Sequence, residues 1–222
     1  MKTTGVLSLL ALLVAVCAAQ APKPCVSPPL LHGGFTTMSD DGLMGSTGTM
    51  SYDAFSQRVH MTMMSLTGNV TSPIDRVLLF GKKIMYEINW RTFSCRMKPL
   101  NATFQPMRVP EDAQLLGQVV MGSSSSFGMG VLVNNWFGTL PGNARYTFVF
   151  TEVGCIPLTY SIYTPEEGWN MISTFNWVLG TVDPGVFIPP FFCRKAKLEE
   201  SDAPETMLTA LKSLVREAKG MK

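Results

Sequence analysis

The sequence predicts a mainly β domain of antiparallel strands followed by one C-terminal helix. Three observations point there. Residues 145–193 hold three successive alternating runs between two cysteine-bearing breaks. Shorter alternating runs precede them, each bounded by Gly, Pro, Asn or Asp. Only residues after 201 change to a helical period. A sheet of this kind has to close, pair with a second sheet or cover its edges. A half-barrel, its concave side lined by the apolar face of each strand, meets that need.

The chain opens on an export signal. Lys2 supplies the positive end, residues 6–16 the apolar run, and Ala18, Ala19 and Ala21 the small residues of a cleavage site, placed after Ala19. Cys17 is a poor lipoprotein cysteine behind Val14-Ala15-Val16, and the apolar run is too short to span a bilayer. Residues 20–222 then read as one domain, since no linker or shift of composition divides them.

Along the chain, residues 20–31 are proline-rich and extended. A first strand is expected over residues 33–38, a turn at Asp40-Asp41-Gly42 and a flexible connection over 45–48. After a turn at Asp53, Val59, Met61 and Met63 alternate with Arg58, His60 and Thr62. Residues 77–80 and 84–91 form a hairpin in which Ile84, Tyr86, Ile88 and Trp90 share a face, and residues 99–112 are loop. Strands follow over 115–121 and 130–136, separated by a flexible Ser/Gly segment. In the final region Tyr146, Phe148 and Phe150 share one face, as do Leu158, Tyr160 and Ile162, and then Met171, Phe175 and Trp177. For the tail, Asp202 is an N-cap and Pro204 an early helical residue. Met207, Leu208, Leu211, Leu214 and Val215 repeat at helical spacing, giving a helix over 203–219. Packing on the sheet is the plainer role for it; a membrane-surface helix is the alternative, because Lys212, Arg216 and Lys219 line its polar side.

Without Cys17, four cysteines remain: Cys25, Cys95, Cys155 and Cys193. An even number in an exported chain reads as disulfides, and three pairings are open. No two lie close enough for a zinc knuckle. Asn69-Val70-Thr71 and Asn101-Ala102-Thr103 are acceptor sites for N-glycosylation. The near-zero net charge and the absence of a basic aromatic stripe exclude nucleic acid.

Catalysis finds little footing. His32 and His60 are the two histidines; one sits in a Pro/Gly-rich stretch and the other on a polar strand face. Neither Ser46 nor the serines at 123–126 match a nucleophile elbow, and Glu166-Glu167 occupy a turn. Asp40, Asp41 and Asp53 are the calcium candidates, although Asp-Asp-Gly is first a turn signal. His60 with Met61, Met63 and Met64 offers soft copper ligands, but alternation puts His60 and Met61 on opposite faces.

Read in order, several blocks resemble the ependymin-related family. They are Cys25 with Pro28-Pro29 and Gly33-Gly34, Tyr52-Asp53 with Gln57-Arg58-Val59, and Cys95 after the Tyr86 to Trp90 strand. Asn134, Trp136 and Gly138, Cys155-Ile156-Pro157, and Asp183-Pro184 through Phe187, Pro189-Pro190 and Cys193 complete the set. The resemblance implies a secreted glycoprotein with two packed antiparallel sheets, an architecture similar to bacterial lipoprotein carriers, and an apolar pocket. It also implies a homodimer, a pairing of Cys25 with Cys155 and Cys95 with Cys193, and calcium or fatty-acyl lipid as reported ligands. The secretory destination is the extracellular space or the lysosomal lumen.

Fifteen methionines and four tryptophans supply more apolar surface than a plain sandwich needs. The expected lining of a ligand pocket is Tyr86, Ile88, Trp90, Val133, Tyr146, Phe148, Phe150, Tyr160, Phe175 and Trp177. The function this implies is non-enzymatic binding of a fatty acid or other lipid. The alternative is a matrix or cell-adhesion glycoprotein with calcium-dependent contacts, its apolar faces forming a filled core.

Overall fold

The computed structural model describes residues 21–40, 44–65, 73–100, 103–140, 142–165 and 168–199. The export signal, Asp41, Asn69, Asn101 and the expected helix over 203–219 lie outside the described residues.

Eleven strands form one antiparallel sheet: β1 (Leu30–Ser39), β2 (Met44–Asp53), β3 (Arg58–Ser65), β4 (Ile74–Leu79), β5 (Ile84–Asn89), β6 (Ser94–Pro99), β7 (Gln114–Gly122), β8 (Gly130–Leu140), β9 (Ala144–Thr151), β10 (Pro157–Thr164) and β11 (Gly168–Leu179). Their order is β6-β5-β4-β3-β2-β1-β11-β10-β9-β8-β7. The antiparallel β architecture agrees with the sequence reading. The two expected layers are halves of one unclosed sheet, joined where β1 pairs with β11.

Two strand assignments change. The stretch expected to be a flexible connection, Gly45 to Gly48, is the first half of β2. It is held between β1 and β3, and a Cβ on Gly48 would stand 1.9 Å from the Thr62 carbonyl oxygen, so only glycine fits. Strand β6 carries charged residues instead of an apolar alternation and escapes a pattern search; pairing with β5 defines it. Its outer edge is capped by residues near the end of the described chain. Leu198 bridges Met97, Glu199 N–H donates to the Met97 carbonyl, and Arg96 Nε meets the Glu199 carboxylate at 3.0 Å.

One face of the sheet, here the inner face, carries most of the core. Leu31, Phe35, Met50, Tyr52, Val59, Met61 and Leu78 form one cluster. Trp136, Tyr146, Phe148, Phe150 and Ile162 form a second, and Tyr160 packs against both. The segment between β6 and β7 lies across this face. Phe104 sits 5.8 Å from the Tyr52 ring and 5.2 Å from the Phe80 ring, while Met107 and Val109 are buried. The amino-terminal segment pairs with it: Ser27 N–H donates to the Met107 carbonyl and Val109 N–H to the Cys25 carbonyl, both at 2.9 Å. The chain thus covers its own concave side.

Disulfides join Cys25 to Cys155 and Cys95 to Cys193, the pairing that the resemblance implies. Each closes a loop of 130 or 98 residues, worth about 5 kcal/mol in the chain-entropy model.

The recurring motifs acquire physical reasons. Asp53 caps the turn after β2 by accepting Ser56 N–H at 2.9 Å and binding the Arg58 guanidinium at 2.5 Å. Gln57, in the same turn, adopts positive φ. Asp183 accepts Gly185 N–H at 2.8 Å and starts a 3-10 turn, Pro184–Phe187, with proline at its first position. That turn buries Phe187 beneath Arg58, whose guanidinium carbon lies 4.3 Å from the ring centroid.

Candidate functional site

The described residues cover the outer face only in part. Over β3 to β6 it is closed by residues 184–195: Phe187 meets Arg58, Phe192 meets Trp90 at 5.5 Å, and Cys193 is bonded to Cys95. Over β11, β1, β2 and the end of β3 no described residue closes it. There a groove of about 410 Å³ is lined by His32, Gly34, Thr47, Thr49, Thr62, Met64, Phe175 and Asn176, with backbone from Gly33, Gly48 and Met63, whose side chain is buried in the inner cluster. The volume falls within the range of small-molecule sites.

Local sequence makes the hollow. The outward positions of these central strands are small: Gly34 lies opposite Thr49, and Thr49 opposite Thr62. Phe175 turns its ring flat across Gly34, where a Cβ would stand only 2.3 Å from it, and forms a wall. A bulge follows. Between the pairs Gly34–Phe175 and His32–Val178, β11 spends one residue more than β1, and Asn176 takes the left-handed backbone that asparagine tolerates.

That extra residue corrects the expected strand face. Phe175 stays with Met171 on the outer side, but Trp177 is turned to the inner side, lying over Gly33 and packing against the first core cluster. Its indole N–H donates to the Pro157 carbonyl at 2.8 Å.

The other expected pocket residues also separate. Tyr146, Phe148, Phe150 and Tyr160 come together, but as a ring cluster. Centroids lie 4.4 Å apart for Tyr146–Phe148, 4.8 Å for Phe148–Tyr160 and 5.7 Å for Phe150–Tyr160. Burial pushes the Tyr160 phenol up, and the nearby Tyr52 adds to it. Its hydroxyl has no partner among the described residues. Tyr86 and Ile88 pack on the outer face with Cys193 and Phe192, in the third cluster. Trp90, half exposed, joins Phe192 and donates to Asp75 at 2.7 Å. Val133 is buried on β8 opposite Thr151. Of the ten, Phe175 alone lines the groove.

As groove-lining residues, the sequence reading missed His32, Gly34, Thr47, Thr49, Thr62, Met64 and Asn176. A usable signal was present: adjacent glycines inside a strand mark close approach of another chain segment, and outward threonines on its neighbours leave a hollow.

The polar surroundings of the groove are orderly. His32 Nδ1 bonds Ser51 Oγ at 2.9 Å, and the buried Ser51 stands opposite His60 in register. His60 Nε2 lies 3.5 Å from an Asp75 oxygen. Burial raises the Asp75 carboxyl, but donors on His60, Trp90 and Thr62 outweigh it and hold the group below its ordinary range. Asp53 is likewise held low: burial is outweighed by the Ser56 backbone and the Arg58 guanidinium. Its carboxylate is thereby engaged, and Asp40 is exposed beside Gly168. Among the described residues no three His, Cys, Asp or Glu side chains group as metal ligands, and no helix is long and apolar enough to cross a membrane.

LolA superfamily protein NE2245 from Nitrosomonas europaea covers 73% of this chain and 90% of that chain at 7% identity and a TM-score of 0.29. An uncharacterized conserved protein from Thermus thermophilus aligns with a TM-score of 0.50 at 10% identity, covering 80% of this chain and 90% of that one, which concerns the fold alone. Ependymin-2 of Carassius auratus is 31% identical over 186 residues, 83% of this chain and 86% of that protein. The profile described as Ependymin matches residues 48–193, from the middle of β2 to the second disulfide. The profile and the Carassius auratus relative show that the chain belongs to the ependymin family.

Proposed function

We propose that the protein is a secreted, non-enzymatic glycoprotein that holds a hydrophobic small molecule in the outer groove. The observation that carries this reading is the groove itself. It is a hollow of about 410 Å³ over the central strands, with methionine and phenylalanine walls and a floor of glycine and threonine. Groups arranged for covalent chemistry do not meet in it, whereas apolar walls with a few polar groups are what reversible binding requires. The amino-terminal export signal and the two disulfides support secretion.

Energetics favour a ligand that comes and goes. Burial contributes about 0.8 kcal/mol per methylene, so about eight methylenes contribute roughly 6 kcal/mol. Association costs at least about 4 kcal/mol of that. A micromolar complex, about −8 kcal/mol, therefore needs a polar contact besides the tail.

The test is uptake of a dansylated fatty acid by delipidated protein. Thr49→Trp fills the groove from an exposed strand position and is expected to abolish uptake with little change in melting temperature. Unchanged uptake in that variant, or none by the unmodified protein, overturns the reading.

A homodimer is supported by the other sheet edge. Strand β7 has no strand on its outer side among the described residues, and residues 113–144 contain no charge. Leu116, Val119, Val120 and Met121 are exposed on both of its faces. An uncharged edge of nine residues invites strand pairing, and two copies meeting about Gln118 would oppose Leu116 to Val120. The adhesion alternative with calcium gains no comparable support, since Asp53 is taken by Arg58.

A further inference from the structure

Independently of the groove, we propose that the protein carries a docking surface for a sulfated polysaccharide chain. It lies at the corner of the sheet where the β5–β6 turn meets the 3-10 turn Phe191–Lys195. The Cys95–Cys193 disulfide ties the two segments together, with Cα atoms 5.2 Å apart. The Phe192 ring packs edge-on against Trp90 at 5.5 Å and Phe93 at 5.8 Å. Arg91 stands between those two residues in the chain, and Arg194, Lys195 and Lys197 follow Phe192. All four cations are exposed, and among the described residues none has an ion-pair partner. The acids nearby are taken: Glu87 by Arg76 and Lys98, and Glu199 by Arg96. Glu200 and Asp202 lie outside the described residues. No such patch is visible in the sequence, since 98 residues separate the two cysteines that join its parts.

Charge and rings together decide the kind of partner. One exposed ion pair corresponds to about 5-fold in affinity at most, so a ligand has to present several anions at once. Phe191 is 76% and Phe93 65% exposed. Phe93 is held at φ 48°, a left-handed backbone that a bulky side chain adopts only at a cost. Rings so placed accept the apolar C–H face of a sugar, which removes both surfaces from water. Guanidinium and ammonium groups beside them donate to sulfate oxygens. Each turn mixes cations with its rings and leaves no uncharged apolar tip. That arrangement fits a polymer alternating sulfates with sugar faces better than the interior of a bilayer, and secretion brings the protein to such polymers.

The experiment titrates the protein with a heparin octasaccharide by calorimetry. The unmodified protein is expected to bind it, less tightly as salt rises, and to ignore the same oligosaccharide after complete desulfation. Arg194→Gln, Lys195→Gln and Lys197→Gln together should weaken binding by about 10-fold or more. Lys23→Gln, Lys82→Gln and Arg145→Gln together, three exposed cations elsewhere, should leave it nearly unchanged. Phe191→Ala and Arg91→Gln should each weaken it by a smaller factor. Equal losses in the two triple variants would mean attraction to net charge alone and overturn the site. No effect of Arg91→Gln overturns the joining of the two turns into one surface. Failure to bind heparin, with phosphatidylserine vesicles held through the same cations instead, assigns the surface to membranes and overturns the proposal. The substituted side chains are exposed, so melting temperature should hold. Uptake of the dansylated fatty acid should also hold, which separates this surface from the groove.

Discussion

Phe148 on β9 and Phe175 on β11 lie two strands apart in one half of the sheet, yet substitution should affect different properties. Phe148 is 8% exposed and touches the rings of Tyr146, Phe150 and Tyr160. Phe148→Ala removes a buried aromatic at about 3–5 kcal/mol, cavity included. Its three ring partners place it near the top of that range, since each aromatic pair adds about 0.5–1.5 kcal/mol. For a domain near 200 residues, each kcal/mol lowers the melting temperature by about 2–4 °C, so a fall on the order of 10 °C is expected. Phe175 is 42% exposed and its ring rests over Gly34. Phe175→Ala should cost about 1 kcal/mol or less, as surface changes do, but it removes a groove wall and should weaken ligand uptake. Urea unfolding followed by tryptophan fluorescence measures the first effect, and displacement of a dansylated fatty acid the second. If Phe148→Ala lost ligand while keeping its stability, and Phe175→Ala did neither, the ligand would lie among the inner rings and our assignment would be wrong. Phe148→Arg, a natural choice from the sequence for blocking a pocket, should unfold the protein by burying an unpaired charge.

Three further outcomes are expected. The carboxyls of Asp53 and Asp75 are held below 3.8 in the folded state, so their stabilisation is present above that value and is lost as pH falls through the lowered folded values. Melting temperature measured across pH should therefore drop below about pH 4 through these groups, and Asp75→Asn should flatten that drop. A Cβ on Gly48 would meet the Thr62 carbonyl oxygen at 1.9 Å, whereas nothing lies within 4 Å of one on Gly117. Gly48→Ala should cost about 3 kcal/mol in denaturant titration, the upper end for overpacking, and Gly117→Ala close to nothing; equal effects would contradict the β2–β3 packing. Val120→Lys places a charge on the β7 edge and should convert a dimer into a monomer by light scattering; a dimer that survives it does not pair through this edge.

The sequence by itself determined the parts that local physics controls. Alternation at Tyr146, Phe148 and Phe150 and at Ile84, Tyr86, Ile88 and Trp90 set strands and their faces, because a side-chain period of two requires nothing beyond the strand. Turn residues at Asp53 and at Asp183-Pro184 acted within a few bonds of where they sit. Tertiary structure decided what each face meets. Pattern alone makes Tyr146 and Phe148 pocket-lining or core with equal ease. The choice falls to neighbouring rings and to residues 104–109, which arrive from another part of the chain to cover the inner side. One inserted residue, Asn176, parts Trp177 from Phe175, and the insertion exists only relative to β1. The groove belongs to the same class. Gly34, Thr49 and Thr62 are distant in sequence and individually ordinary, and they make a hollow only because strand pairing sets three small side chains side by side.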